Sequence, residues 1–460
     1  MRNRAVVALV ATIAAGVVVG VFGGTPAGAR PLHWTNTHRF AQPPTTADCE
    51  TQFSNLLACY GPFQFEQAYN MNPLYSRGLT GRGETIAIVD SFGSPTIQAD
   101  LAQFDSDFAL PPPPSFQIIQ PAGPVPPFDP TNSDMAGWAI ETSLDVEYAH
   151  AMAPGANILL VETPVSETEG VQGFPQIAQA ENYVINHHMA QVISQSFGAT
   201  EQTFPNPFSV YALRGMYVNA AVHGVTVLSA SGDAGATDYQ SNQLDFYPFR
   251  VTSWPASDPL VTSVGGTQLT LDAAGNRTAP DVVWNDEEND PLLFAGAPAA
   301  GGGGQSIFFG RPAFQDSVAG VVGSARGVPD VSMSAAVNGG ALVYMSFDGS
   351  AQGLSGPGYY IIGGTSEAAP EMAGVVAVAD QAAHHPLGLL NPSLYRAAQR
   401  GSDGLTDITS GNNTATFTNS DSNTYTVTGF NAVPGFDLAS GLGSPDGVAF
   451  VQAYAHPFHF

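Results

Sequence analysis

The sequence predicts an α/β fold in which a mostly parallel sheet is flanked by helices on both of its faces. The clearest strand is the run of β-branched and apolar residues at 85–90, which is typical of a strand buried on both faces. Similar short apolar runs alternate along the chain with longer helical stretches, and this alternation favours parallel strands joined by helices. The functional groups of such folds gather beyond the carboxyl ends of the strands.

The remaining elements are predicted from the same patterns, in chain order. Further strands are predicted at 156–161, 191–196, 225–229, 260–264 and 359–362. Helices are predicted at 138–151, 177–187, 210–223 and 373–379. The proline-rich stretches at 111–114 and 121–130 are interpreted as stiff surface loops, and 401–429 as loops or edge strands. The tetraglycine at 301–304 suits no element interior and could cover or line a cleft.

The ends of the chain suggest export. Two arginines precede an apolar run at 5–22, and small residues at 27–29 have the pattern of a cleavage site. We therefore expect a signal peptide at 1–29 and a secreted, extracellular protein, with an uncleaved membrane anchor as the alternative. Residues 30–62 are interpreted as a short N-terminal arm, and 63–460 as a single large domain.

Composition excludes some partners. The chain holds 39 acidic and 13 basic residues, a net charge of −26, and this charge argues against nucleic acid and anionic membranes as partners. Such a chain loses most of its self-repulsion near pH 4, which permits acid tolerance without establishing it. The two cysteines, Cys49 and Cys59, predict one local disulfide in the arm of an exported protein.

Ser366 is the first candidate for chemistry. It follows Gly363 and Gly364 at a predicted strand-to-helix corner, where the helix N-terminus supplies N–H donors and a positive dipole. A serine in this position is a candidate nucleophile. A serine that only caps a core helix is the alternative.

A base for this serine is not found among the ten histidines, none of which lies in a motif that would bring it to Ser366. Glu141 and Asp145 instead lie one turn apart on one face of a predicted helix that is otherwise apolar. If this helix is buried, the two carboxyl groups share protons and one has a raised pKa, which suits a base that works at acidic pH. A solvated pair on an exposed helix is the alternative.

Asp233 follows the predicted strand at 225–229. If its carboxyl group stays protonated, Asp233 could donate a hydrogen bond to an oxyanion. The alternative is that Asp233 is an ordinary turn residue.

Together these residues resemble the sedolisins, or serine-carboxyl peptidases, which share the subtilisin fold. The resemblance covers roughly residues 63–456 and depends on three motifs in the same order. They are Glu141-x-x-x-Asp145, Ser231-Gly232-Asp233, and Gly364-Thr365-Ser366 followed by Pro370. Framework stretches at 194–198, 261–267 and 329–332 are also similar to the family. The fold implied is a subtilisin-like sheet in one large catalytic domain.

The resemblance also implies roles. Ser366 would be the nucleophile, Glu141 the general base and acid, Asp145 the group that orients Glu141 and shares its proton, and Asp233 the oxyanion donor. Two residues would offer backbone groups to an extended substrate, Ser196 and Gly198. The family's calcium site is similar to the loops here, and its implied ligands are Asp407, Ile408, Val433, Gly435 and Asp437. Val433 stands where the family usually has glycine, and acidic loops without metal are the alternative.

The function implied is a secreted, acid-active serine peptidase with one Ca²⁺ that acts on polypeptides as a monomer. One alternative is a neutral subtilisin with Asp90 as its triad aspartate. Another is an inactive, calcium-stabilised binding protein, since only some thirty residues separate Ala29 from the expected core, where sedolisins carry a large pro-domain. Cleavage specificity, and endo- versus exopeptidase action, do not follow from the sequence.

Overall fold

The structure is a computed structural model that describes residues 33–289 and 298–455. The first ten strands are β1 (Trp34–Phe40), β2 (Cys59–Tyr60), β3 (Thr85–Ser91), β4 (Phe116–Ile119), β5 (Asn157–Thr163), β6 (Val192–Gln195), β7 (Ala199–Thr200), β8 (Thr226–Ala230), β9 (Ser253–Trp254) and β10 (Thr262–Gln268). The next ten are β11 (Val282–Val283), β12 (Gly304–Gly310), β13 (Ala325–Val328), β14 (Val331–Ser334), β15 (Gly340–Met345), β16 (Gly358–Gly363), β17 (Leu405–Thr406), β18 (Ala415–Thr418), β19 (Thr424–Val427) and β20 (Ser444–Pro445).

The helices connect these strands. In chain order they are α1 (Thr46–Gln52), α2 (Pro62–Ala68), α3 (Asn72–Tyr75), α4 (Ile97–Phe108), α5 (Ser133–Met152), α6 (Phe174–Asn186), α7 (Pro207–Leu213), α8 (Gly215–His223), α9 (Asp286–Asn289), α10 (Ala319–Val322), α11 (Thr365–Ala383), α12 (Asn391–Gln399) and α13 (Gly447–Ala455). In the part of the chain that the structure covers, no helix combines the length and apolar character needed to cross a bilayer.

The central sheet has eight strands in the order β11-β10-β8-β6-β3-β5-β4, and β14 also pairs with β10. Every pairing in it is parallel except that of β10 with β11. The predicted mostly parallel sheet is therefore confirmed.

Helices cover both faces of this sheet. Ile86 and Ile88 of β3 pack into a core shared with α5 and α11, whereas Ala87 and Val89 face a second core shared with α6 and α8. The apolar run at 85–90 has no polar alternation because both of its faces are buried. The doubly flanked architecture predicted from the sequence is confirmed.

The structure differs from the sequence prediction in two places. The predicted helix at 210–223 is broken into α7 and α8 at Arg214, whose guanidinium pairs with Asp258. The segment interpreted as an arm contributes β1 and β2 to a second sheet of order β1-β16-β15-β2. The disulfide between Cys49 and Cys59 is confirmed and lies within this segment, while residues 1–29 lie outside the described residues.

Candidate active site

Ser366 is the second residue of α11 and is completely buried. The turn from β16 into α11 passes through Gly364, whose φ of 131° is accessible to glycine and strained for other residues. The Ser366 hydroxyl donates to the carbonyl oxygen of Ser196 at 3.4 Å. The expected strand-to-helix corner therefore exists, and it places the serine hydroxyl at the start of a 19-residue helix, where the helix dipole favours an anion.

Glu141 and Asp145 lie in the middle of α5, and both are fully buried. The Ser196 hydroxyl donates to Asp145 Oδ1 at 2.8 Å, so Ser196 bridges Asp145 and the nucleophile. Within the described residues, Asp145 Oδ2 and Glu141 Oε1 are buried and have no hydrogen-bond partner. A buried carboxyl oxygen without a partner is costly, so each of these is suited to hold a proton or to meet a substrate.

Asp90 adds a third carboxyl group at the carboxyl end of β3. Burial raises its pKa, and the nearby charge of Glu141 raises it further. The pKa of Asp145 is likewise raised, first by burial and then by Glu141 and Asp90. Asp90 and Asp145 therefore hold their protons well above the pH range usual for aspartate. Sequence analysis considered Asp90 only as a subtilisin aspartate and missed its place beside Glu141.

Asp233 lies next to the nucleophile helix. Its Oδ1 accepts hydrogen bonds from the Thr365 backbone N–H at 2.8 Å and from the Thr365 hydroxyl at 2.7 Å. Its Oδ2 is buried and has no partner among the described residues. Burial raises the pKa of Asp233, so this carboxyl group stays protonated well above its usual range. Thr365 thus fixes one oxygen and leaves the other available as a donor to an anion beside Ser366.

The tetraglycine segment 301–304 packs beside Asp233 through Gly302. The Gly302 N–H donates to the carbonyl oxygen of Gly232 at 2.7 Å, and the Ser231 hydroxyl donates to the Gly302 carbonyl at 2.7 Å. A Cβ at Gly302 would lie 2.3 Å from the Ser231 carbonyl oxygen, so only glycine allows this close packing.

His33 is the residue that sequence analysis missed most clearly. Its Nδ1 is in hydrogen-bonding contact with Glu141 Oε2, and its side chain is only 9 % exposed. Strand β1, which follows directly, pairs antiparallel with β16, and Trp34 lies opposite Gly363. No local sequence signal identifies this contact, because it joins residues 108 positions apart.

Three further histidines of the described ranges have structural surroundings. His187 and His384 follow the last turns of α6 and α11, the helix ends expected for them. His150 is buried against Asp105, at 3.2 Å, and its Nε2 donates to the Pro111 carbonyl oxygen at 2.8 Å. Neither setting provides a base for a serine.

The two residues expected to offer backbone groups to a substrate lie between β6 and β7. Ser196 is fully buried beneath Ser366, and Gly198 lines a cavity with several acidic residues. Their role toward a substrate stays a prediction.

The expected calcium ligands come together around one turn. Asp407 accepts the Gly435 N–H at 2.8 Å, and Asp437 accepts the Val433 N–H at 2.9 Å. Gly435 has a φ of 84°, so glycine is required at this point in the turn. Carboxylate and backbone carbonyl oxygens are the ligands that Ca²⁺ takes, so the residue types present suit the ion, and the calcium site stays a prediction.

Comparison with known proteins gives consistent results. The model of the subtilase family matches residues 133–402, a span that includes Glu141, Asp145, Asp233 and Ser366. Kumamolisin from Bacillus sp. (strain MN-32) is 33 % identical over 403 residues, which are 86 % of this chain and 63 % of the relative. Sedolisin from Pseudomonas sp. (strain 101) is 30 % identical over 400 residues, which are 86 % of this chain and 61 % of the relative. The chain thus spans about three fifths of the length of these two relatives.

A solved structure shows the same architecture. It is Pseudomonas sedolisin, a serine-carboxyl proteinase, in complex with two molecules of pseudo-iodotyrostatin. The two chains align with a TM-score of 0.69 and 28 % identity, over 88 % of this chain and 100 % of the other. The subtilisin-like fold implied by the resemblance is confirmed.

Proposed function

The chain belongs to the sedolisin family of serine-carboxyl peptidases, within the subtilases, and we propose that it is a secreted, acid-active peptidase that cleaves polypeptides through an acyl-enzyme on Ser366. One observation carries this proposal. The nucleophile is connected through Ser196 to a group of buried carboxyls, Glu141, Asp145 and Asp90. A carboxylate base still works at low pH, where histidine is protonated and cannot accept a proton.

In the first half of the reaction, the Ser366 hydroxyl attacks the substrate carbonyl carbon while Glu141 accepts its proton. Asp145 and Asp90 lie beside Glu141 with raised pKa values, so they hold their protons at acidic pH and leave Glu141 as the member of the group that accepts this proton. The developing oxyanion receives a hydrogen bond from protonated Asp233, assisted by the N-terminal end of α11. The carbon–nitrogen bond then breaks, and Glu141 returns the proton to the leaving amine.

In the second half, water attacks the acyl-enzyme. Glu141 takes a proton from this water and returns a proton to Ser366 as the product acid leaves, so protons balance over the cycle. Asp233 again donates to the oxyanion. His33 contacts Glu141 Oε2 in this structure, so either its imidazole leaves that oxygen or Oε1, which has no partner among the described residues, accepts the proton.

We also propose that one Ca²⁺ binds at the turn around Val433. Asp407 and Asp437 would hold it with their carboxylates, and Ile408, Val433 and Gly435 with their carbonyl oxygens. A bound ion would supply positive charge that offsets the two carboxylates of this turn. The calcium proposal is supported by the carboxylate and carbonyl groups of these residues. The family model adds no support, because its match ends at residue 402.

The test of the peptidase is digestion of an unfolded protein substrate between pH 2 and pH 8. We expect activity to peak below about pH 5 in the wild type and to fall by about 10⁴-fold or more in Ser366→Ala, since a nucleophile is lost. We expect a comparable loss in Glu141→Gln, whereas Asp421→Asn, at an exposed position, should retain activity. Full activity of Glu141→Gln at neutral pH would exclude the carboxylate base, and a folded wild type inactive at every pH would favour a binding protein.

A further inference from the structure

A small acidic cavity lies next to the active site. Its lining includes three carboxyl groups, from Glu167, Glu169 and Asp238, together with Gly198 and Gln243. Including its open mouth, it has a volume of about 310 Å³. This figure includes solvent at the open mouth, so the enclosed part is much smaller and suits only the end group of one side chain.

The cavity lies within reach of the scissile bond. Ser366 contacts the carbonyl of Ser196, and Gly198 follows two residues later along the same segment. Two residues of extended chain span roughly 7 Å. A substrate side chain close to the bond being cut can therefore enter the cavity while its backbone lies along 196–198.

The three carboxyl groups would repel one another if all of them were ionised. Burial raises the pKa of Glu167, and the charges of Asp134 and Asp238 raise it further. Burial also raises the pKa of Glu169, with added contributions from Asp238 and Glu167. Without a cation, the cavity therefore keeps its carboxyls protonated, and a cation that enters takes the place of those protons.

Some of these oxygens are already satisfied by the protein. Glu169 accepts from the Thr200 N–H at 2.8 Å and from the Thr203 hydroxyl at 3.0 Å, and Asp238 accepts from the Tyr239 N–H at 2.8 Å. Glu167 differs, because it is 1 % exposed and its Oε1 has no partner among the residues described. Gln243 Oε1 is also without a partner there. These two oxygens are therefore open to a hydrogen-bond donor that enters the cavity from outside the protein.

Among the described residues, no arginine forms an ion pair with the carboxyl groups of this cavity. The sequence contains no lysine, and the arginine–carboxylate pairs of the described ranges join other acids. Those acids are Asp258, Asp281, Asp316 and Asp330.

We propose that the cavity is a subsite for a basic side chain of the substrate, arginine or lysine, next to the scissile bond. This inference rests on the proposed peptidase function and specifies its substrate. The side chain donates N–H groups to Glu167 Oε1 and Gln243 Oε1, and its positive charge offsets the cluster formed with Glu169 and Asp238. Hydrogen bonds to a charged group contribute about 1.5–3 kcal/mol each, which corresponds to roughly tenfold to a hundredfold in kcat/KM.

The first experiment identifies cleavage sites in a library of peptides from a denatured proteome, by mass spectrometry. We expect arginine and lysine to be enriched at one position within two residues of the cut in wild-type digests. The enrichment should be lost in Glu167→Gln and Asp238→Asn, and kept in Asp380→Asn, a matched buried acid on α11 that does not line the cavity. No enrichment, or an enrichment unchanged in the cavity variants, would refute the subsite.

A second measurement on the wild type alone covers the case in which the cavity variants fail to fold. For each position flanking the bond, we compare two peptides. One has arginine at that position, and the other has citrulline, the neutral isostere of arginine. We expect kcat/KM for arginine to exceed that for citrulline by at least about tenfold at one position. Equal values at all positions would overturn the proposal. Digestion of the library by the wild type but not by Ser366→Ala would uphold the peptidase whichever preference is found.

Discussion

His33 Nδ1 contacts Glu141 Oε2, so the N-terminal strand of the described chain places an imidazole directly on the expected catalytic base. The contact is held by backbone pairing, because β1 adds to the edge of β16, the strand that leads into Ser366. The residue opposite Trp34 in this pairing is Gly363, three positions before the nucleophile. The strand that directly follows His33 therefore pairs with the strand that leads into Ser366.

Replacement of His33 by alanine is expected to increase activity. The substitution removes a group that occupies Glu141 Oε2, and the base is then free to accept a proton from Ser366. Initial rates on a short peptide should rise several-fold in His33→Ala. His38→Ala is the matched control, since His38 lies on the same strand and packs on Phe40 and Phe53 away from Glu141. Equal rates in His33→Ala and the wild type would show that the contact does not restrain the enzyme.

Asp233 is expected to act as a neutral donor, and its two substitutions should differ. In Asp233→Ala the oxyanion loses its donor, and kcat should fall by about 10²–10³-fold. Asp233→Asn keeps an N–H donor that cannot ionise, so it should retain more activity than Asp233→Ala. Burial raises the pKa of Asp233, so its proton is present below that raised pKa and lost above it.

The pH dependence of kcat tests whether Asp233 acts as a protonated donor. Activity that depends on protonated Asp233 declines as pH rises through its folded pKa, and this decline should disappear in Asp233→Asn. The measurement is kcat from pH 3 to pH 9 for both proteins. An unchanged alkaline limb in Asp233→Asn would assign that limb to another group.

Local sequence patterns predicted much of the fold. The apolar run at 85–90 identified a strand buried on two faces, and the glycines before Ser366 identified the turn into α11. The roles of His33 and Asp90 were not predictable, since each depends on contact with Glu141 across the fold rather than on neighbours in the chain. The break at Arg214 lies between Leu213 and Gly215, and the spacing of apolar residues alone does not predict it.

The stability of the protein is expected to fall as pH rises from about 4 to 8. Burial raises the pKa of Glu66 to about 7 and that of Asp380 to about 8. In the unfolded chain these groups ionise near pH 4. Between the unfolded and the folded pKa of each group, the folded state therefore binds more protons than the unfolded state. Each such group therefore lowers the free energy of unfolding by about 1.4 kcal/mol per pH unit inside its window, and contributes no further change above its folded pKa.

Thermal unfolding from pH 3 to pH 9 tests this expectation, with Ser366→Ala as the parent so that self-digestion is excluded. Glu66→Gln should flatten the decline between about pH 4 and pH 7, because its side chain cannot ionise. Asp421→Asn is the control, since hydrogen bonds lower the pKa of this exposed group and it has no window above pH 4. A melting temperature that rises from pH 4 to pH 8 would contradict the argument.

Calcium should stabilise the folded protein through the turn around Val433. An ion that binds only the folded state adds about 2.7 kcal/mol at a concentration one hundred times its Kd, so addition of calcium to chelator-treated protein should raise Tm by several degrees. The informative readout is the calcium-dependent change in Tm rather than Tm itself. Asp437→Ala also removes acceptors for Val433, Ala439 and Ser440, and so lowers Tm even without metal. The calcium-dependent rise should vanish in Asp437→Ala and persist in Asp421→Asn, and a rise equal in all three proteins would place the ion elsewhere.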